Sequence, residues 1–135
     1  MSNHTKIRVG GVPEHFNLPW HLAIENGLFE KEGIEVEWTV FKGGTGQMTR
    51  ALRENEIDVC ILLTEGIIAD IVNGNPAKLI GKYLNTPLIW GVYTGIHNSV
   101  THYGEIYDKQ YAISRFGSGS HLMPIVDANS KKKES

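Results

Sequence analysis

Apolar and polar residues alternate along several short segments of the chain, a pattern that is typical of β-strands with one buried face. In residues 35–41, for example, Val36, Trp38 and Val40 fall on the same face. Residues 58–63 are instead almost continuously apolar, as expected for a strand buried in a parallel sheet. Six strands are predicted in this way, at residues 6–12, 35–41, 58–63, 78–84, 88–94 and 111–114.

Between these segments the apolar residues recur every three or four positions, which predicts helices. In one of them the repeat runs through Trp20, Ala23, Ile24 and Leu28, and Gly33 is expected to end the helix. Pro124 is expected in the first turn of the last helix, because a proline deeper in a helix removes a backbone hydrogen bond. Four helices are predicted, at residues 19–31, 47–55, 65–73 and 121–128.

Strands and helices therefore alternate along most of the chain, in the order β-α-β-α-β-α-β. This order favours an α/β fold with a mostly parallel sheet and helices on both of its faces. The length of 135 residues corresponds to about one domain.

The composition and the net charge argue against some classes of binding partner. Hydrophobic residues make up 41% of the chain and charged residues 21%, which is enough apolar material for a core. The net charge of −2 indicates neither a nucleic-acid partner nor a charged membrane surface. The one basic cluster, residues 131–133, lies in a polar segment and is expected to be solvated.

The single cysteine, Cys60, cannot form an internal disulfide and lies in an apolar run, where it is expected to be buried. The histidines do not share a spacing typical of metal ligands, so neither a metal nor a cofactor is predicted. The first residues form no apolar leader, and no apolar run is long enough to span a bilayer. We therefore expect a cytoplasmic protein without membrane insertion; a mature periplasmic product with a trimmed leader would have the same sequence features.

Ligands of open α/β sheets bind outside the carboxyl ends of the strands, and four segments of this chain fall there. Glycines and hydroxyl-bearing residues dominate two of them, and aromatic or acidic side chains mark the others. The candidate ligand-binding residues are His15, Phe16 and Asn17; Gly44, Thr45 and Gly46; Thr64 and Glu65; and Ser114, Arg115, Gly117, Ser118, Gly119 and Ser120.

The two glycine-rich segments each precede a predicted helix, where unpaired N–H groups favour a carboxylate, sulfonate or phosphate. Gly44–Gly46 is equally compatible with an ordinary turn. Arg115 either clamps an anion or pairs with a surface carboxylate. Glu65 either faces an amine or ring nitrogen or simply favours the positive end of a helix, and Thr64 is a plausible cap for that helix.

The sequence gives no positive indication of catalysis. The glycine-rich segments lack the spacing of a P-loop, a dinucleotide-binding fingerprint or a nucleophile elbow. No nucleophile with an adjacent base stands out, and the chain is therefore predicted not to be an enzyme.

Residues 23–36, AIENGLFEKEGIEV, resemble a segment of type II periplasmic-binding-like proteins, which include binders of nitrate, sulfonates, taurine and thiamine-pyrimidine precursors. Gly44-Thr45-Gly46, the EIDV of residues 56–59, Thr64-Glu65-Gly66 and the serine-rich segment 114–120 resemble later blocks of the same proteins. The strongest resemblance is to a branch without a signal peptide that was first recognised in Candida.

The resemblance implies a small-molecule ligand, an anionic organic molecule being one candidate, bound in a cleft between two lobes. It assigns residues 1–94 to the first lobe, 95–128 to a hinge and the start of the second lobe, and 129–135 to a polar tail. A transporter partner is compatible with it. Two alternatives are an enzyme of thiamine-pyrimidine synthesis with the same fold and a truncated fragment that does not bind. Since two lobes need roughly twice this length, weak binding and marginal stability are expected of the chain alone.

Overall fold

The computed structural model describes residues 4–134 and contains a small sheet flanked by helices. Short 3-10 turns occur at His15–Asn17 and Tyr103–Ile106. The strands are β1 (Thr5–Gly11), β2 (Ile34–Val40) and β3 (Val59–Cys60). The helices are α1 (Leu18–Glu25), α2 (Leu28–Lys31), α3 (Gly44–Arg53), α4 (Thr64–Val72) and α5 (Gly119–Glu134).

The sheet has the order β2-β1-β3, and both pairs of strands are parallel. The buried Val9 at the centre of β1 lies opposite Trp38 on one side and Val59 on the other. Each connection passes through one or more helices, as parallel strands require. The predicted α/β class with a parallel sheet is confirmed.

Helices cover both faces of this sheet. Successive residues of a strand point to opposite faces, so Gly10 and Gly11 mark the two sides. A methyl group at Gly10 would lie 2.8 Å from both Phe41 and Ile57, which pack with Met48 and Ala51 of α3. On the other side, Gly11 faces the ring of Trp38 and the amide of Asn17.

Aromatic rings pack against the face of the sheet on which Gly11 lies. Trp20 of α1 stacks on Phe29 of α2 at 5.3 Å between ring centres and contacts Trp38 of β2 at 5.7 Å. Trp20 therefore belongs to the packing between the helices and the sheet.

The predicted helix 19–31 is divided into α1 and α2. Gly27 adopts φ 63°, a left-handed conformation that ends the first helix before the second begins. Gly33 has φ 72° and ends α2, as predicted.

Three predicted strands are wrong within the described residues. Segments 78–84, 88–94 and 111–114 have no strand pairing, and β3 is confined to Val59–Cys60. Alternating residues make a strand only where a neighbouring strand supplies hydrogen bonds, and no such neighbour lies beside these segments in residues 4–134. The side chains of this region are correspondingly exposed; Ile89 is 99% and Tyr93 91% exposed.

Two helix boundaries also differ from prediction. Helix α3 begins at Gly44, three residues earlier than predicted. Helix α5 runs from Gly119 to Glu134, so Pro124 lies inside it and most of the predicted polar tail is helical. Residues 1–3 and 135 of the sequence-based assignments lie outside the described range. Among the described helices, none is both long and apolar enough to cross a membrane.

Candidate functional site

The second and fourth candidate segments meet at Gly44 and Arg115. Gly44 opens α3 with φ 65°, a conformation that strongly favours glycine. The guanidinium group of Arg115 lies directly over its Cα, where a methyl group would be 2.6 Å from Cζ and 3.0 Å from Nε. The absence of a side chain at Gly44 therefore creates the space that this cation occupies.

Arg115 has no carboxylate within ion-pair distance in the described part of the chain. The ion pairs found there join other residues, namely Lys6–Glu37, Arg8–Asp58, Arg50–Glu54 and Arg53–Asp70. Of the two roles considered for Arg115, pairing with a surface carboxylate is thus absent from this structure. The Arg115 guanidinium group lies beside the N-terminal end of α3. Its charge and the partial positive charge of the helix end both attract anions.

The third segment is joined to the second by Thr45 and Gly66. The methyl group of Thr45, which is buried, fills the position that a side chain at Gly66 would need. Glu65 precedes this contact in the first turn of α4, and its Oε1 is buried without a hydrogen-bond partner among the described residues. Thr64 is the first residue of α4 rather than its cap, since Leu63 occupies the capping position.

The fourth segment also packs against the residue that precedes α4. A methyl group at Gly119, the first residue of α5, would lie 2.7 Å from Leu63 and 2.5 Å from the ring of Trp90. Trp90 was not among the predicted site residues, because its segment was assigned to a strand. Its contact with Gly119, which sequence spacing does not reveal, connects Trp90 to the site.

Hydrogen bonds within the loop engage its hydroxyl groups. Ser118 Oγ donates to the carbonyl of Arg115 at 2.7 Å and lies 2.9 Å from Ser120 Oγ. Ser120 Oγ accepts from the N–H of Ser114 at 3.0 Å, and Gly117 N–H donates to Nδ1 of His121 at 3.1 Å. These bonds fix the loop that carries Arg115.

The first segment lies at the carboxyl end of β1. Asn17 is 0% exposed and donates from Nδ2 to the carbonyl of Val12 at 2.8 Å, whereas its Oδ1 has no partner in the described residues. Tyr83 donates to the carbonyl of Phe16 at 2.7 Å. His15 is exposed and contacts the edge of Phe16.

Residues 1–84 match the model of the NMT1-like family. The chain belongs to this family. A solved structure, described as the conserved Candida albicans CA3427 gene product that defines a new family with the generic periplasmic binding protein fold, superposes with a TM-score of 0.85. The two sequences are 34% identical over 95% of this chain and 42% of that chain. Among curated proteins, none matches.

These comparisons confirm the resemblance inferred from the sequence and the periplasmic-binding fold of this NMT1-like chain. The chain spans 42% of the length of the matched structure.

The geometry of the NMT1-like chain thus joins three of the four candidate segments through the contacts Gly44–Arg115, Thr45–Gly66 and Leu63–Gly119. Gly46 lies in α3 with open space around it. Asn17 and its neighbours lie at the same edge of the sheet, since β1 and β3 are adjacent and parallel.

Metal ligation and thiol chemistry have little support in the part of the chain that the structure describes. No group of three or more His, Cys, Asp or Glu side chains is placed to hold a metal ion there. Burial raises the pKa of the Cys60 thiol to about 12, so the thiol stays protonated at neutral pH.

Proposed function

We propose that this chain binds a small anionic molecule, with the anionic group held between Arg115, the start of α3 at Gly44 and the start of α5 at Gly119. The observation that carries the proposal is the position of the Arg115 guanidinium over Gly44 without a carboxylate partner in the described residues. A guanidinium group presents several N–H donors in a plane and binds carboxylate, sulfonate or phosphate in pairs of hydrogen bonds.

The surrounding residues support the same ligand class. Gly44 allows the backbone to approach the guanidinium group, and the serine hydrogen bonds hold the loop that carries it. The helix starts at α3 and α5 add partial positive charge on the same side of the sheet. The solute-binding function indicated by the fold agrees with this site.

We further propose that in a protein with the full length of the matched structure, the ligand lies in a cleft between two lobes. The site of this chain would then supply one wall. Affinity in the chain alone is expected to be in the millimolar range, because only part of the ligand is covered. No observation on the described residues favours the thiamine-pyrimidine synthesis alternative over binding.

Replacing Arg115 by glutamine tests the proposal. Titration of the chain with ethylphosphonate, followed by NMR chemical shifts, is expected to give saturable changes at Gly44, Arg115 and Gly119. In Arg115→Gln these changes should weaken at least tenfold, since hydrogen bonds to a charged group contribute about 1.5–3 kcal/mol. Arg50→Gln is the matched control, because Arg50 lies on α3 and pairs with Glu54 on the exposed surface.

Gly44→Ala gives a second, independent variant at the site. The added methyl group displaces the guanidinium group and places alanine at φ 65°, so binding should weaken and stability should fall by about 1–2 kcal/mol. Gly81→Ala, at a glycine outside the four candidate segments with open space around it, should bind normally and change stability by less than about 0.5 kcal/mol. Equal ethylphosphonate binding by wild type and Arg115→Gln would refute the proposal.

A further inference from the structure

Residues 78–96 form an extended apolar segment whose side chains are all exposed in the described structure. The segment contains no acidic residue and is rich in isoleucine, leucine, valine and aromatic side chains. Within residues 4–134, the backbone N–H and C=O groups of its part 88–94 form no hydrogen bond. An exposed apolar segment with unpaired backbone groups is a template for pairing with another strand.

The side chains of residues 88–93 alternate in exposure, as they do in a β-strand with one covered face. Ile89 and Tyr93 are almost fully exposed, whereas the residues between and beside them, other than glycine, are about half exposed. Trp90 turns toward the body of the chain, where its ring lies against Gly119. The segment therefore has the side-chain arrangement of a strand and lacks only a neighbour to pair with.

We propose that this neighbour is a second copy of the chain, and that residues 88–94 of the two copies pair as antiparallel strands across a two-fold axis at Gly91. This register places Ile89 of each copy opposite Tyr93 of the other. Aromatic and β-branched side chains stabilise antiparallel strands when they lie opposite each other. Gly91 has no side chain, so the two backbones can approach closely at the axis.

Other features of the segment agree with this register. It places Trp90 opposite Val92 on the inner face, which is a second pair of an aromatic and a β-branched residue. Pro87 has no N–H group to donate and falls outside the paired residues. Moving the axis to Trp90 would bring Pro87 opposite Tyr93 and remove a hydrogen bond from the pairing.

The surface of the chain is large enough for such an interface. The chain exposes 10256 Å², about 3,000 Å² more than a compact monomer of its mass, whereas a standard interface takes about 800 Å² from each partner. The charged residues of the segment, Lys78 and Lys82, lie outside the paired residues, so their like charges do not meet. Dissociation in the micromolar range is expected, which is the weak end for specific interfaces. The pairing does not depend on the proposed anion site.

Sedimentation equilibrium of the chain tests the pairing. The apparent mass should rise from 15.0 kDa at low-micromolar concentration toward twice that value near millimolar concentration. Ile89→Lys and Tyr93→Glu should each weaken association at least tenfold, because each places a charge against an apolar side chain. Both positions are almost fully exposed, so the fold is expected to tolerate these changes. Val72→Lys, at an exposed apolar residue on α4, is the matched control and should associate like wild type.

A mixture of Ile89→Lys and Tyr93→Glu tests the register. In the mixed dimer, opposite charges face each other at one cross-strand pair, while the other pair keeps its native Ile89 and Tyr93. The mixed dimer should therefore form at least tenfold more tightly than the dimer of either variant alone. Failure of the mixture to restore association would refute the axis at Gly91.

Hydrogen–deuterium exchange gives a readout of the strand itself. Amide groups of residues 88–94 should exchange within seconds in the monomer and become protected as the concentration rises, in wild type and in Val72→Lys but not in Ile89→Lys. A mass that stays at 15.0 kDa at every concentration, or association that survives both substitutions at positions 89 and 93, would overturn the proposal. Protection without a change in mass would mean pairing inside one chain and would contradict it as well.

Discussion

At the scale of single residues, the ion pair between Arg8 and Asp58 joins β1 to the residue just before β3. Arg8 donates from Nε to Oδ2 of Asp58 at 3.0 Å and from Nη2 to Oδ1 at 2.6 Å, and its backbone N–H donates to Oδ2 at 2.9 Å. Arg8 also donates from Nη1 to the carbonyl of Asn55, which has φ 55°. One side chain thus holds both the turn after α3 and the start of β3.

These bonds make a pH dependence testable. The side-chain and backbone hydrogen bonds from Arg8 lower the pKa of Asp58 to about 2, below its ordinary value near 3.8. A carboxyl group with a depressed folded-state pKa stabilises the fold above its unfolded-state pKa, and this contribution is lost as the pH falls through the folded-state value. Asp58→Asn should therefore melt at a lower temperature than wild type at pH 7, and the difference should shrink between pH 4 and pH 2.

Melting followed by circular dichroism checks this expectation. Glu54→Gln, which alters an ion pair within α3 alone, is the comparison and should show a much smaller change. A difference between wild type and Asp58→Asn that stays constant from pH 7 to pH 2 would contradict the assigned role.

At the scale of elements, α3 connects the core to the candidate site. Its first residue, Gly44, lies under Arg115, while Met48 and Ala51 one and two turns later are buried against Phe41 and Ile57. A short helix that is anchored in this way positions its N-terminal end rigidly. Packing of the apolar side of α3 therefore determines the geometry of the site.

Met48→Ala measures this anchoring. Met48 is fully buried, and its truncation should reduce the free energy of unfolding by about 2–5 kcal/mol. Ile89→Ala, at a residue that is 99% exposed, should change it by less than about 0.5 kcal/mol. Urea denaturation of the two variants gives the comparison, and equal effects would show that α3 is not packed as described.

The elements that sequence patterns predicted well are those whose signals are local. Strands β1 and β2 and helix α4 follow from their own periodicity and from glycines such as Gly33. The strand predicted at 88–94 failed because a strand also requires a partner, and pairing partners lie far away in sequence. The candidate site was likewise predictable only in its local features, namely the glycine-rich starts of helices. The contacts of Arg115 with Gly44 and of Trp90 with Gly119 depend on how distant segments pack.

At the scale of the whole molecule, the accessible surface is larger than that of a compact protein of equal size. The chain of 15.0 kDa exposes 10256 Å², whereas a compact monomer of this mass exposes about 7,000 Å². Residues 78–96 contribute to the difference, since Ile80, Ile89 and Ile96 are each more than four-fifths exposed. This part of the molecule contributes little to the core and is expected to open readily.

Hydrogen–deuterium exchange checks this uneven stability. Amide groups of residues 78–96 should exchange within seconds, because they lack strand pairing in the described structure. Amide groups of β1, a strand that pairs with β2 along its length and with β3 at Val9 and Gly10, should exchange only on unfolding of the sheet. Strong protection across residues 78–96 would show that this segment forms structure that the present fold lacks.

The contact between Trp90 and Gly119 also has a spectroscopic consequence. Trp20 and Trp38 lie together in the packing between the helices and the sheet, whereas Trp90 contacts the start of α5 at Gly119. In a chain with phenylalanine at positions 20 and 38, the remaining indole would be a single emitter placed against the start of α5, beside the loop that carries Arg115. Its emission wavelength and quenching would then report the movement of that loop directly, in real time and without an attached dye.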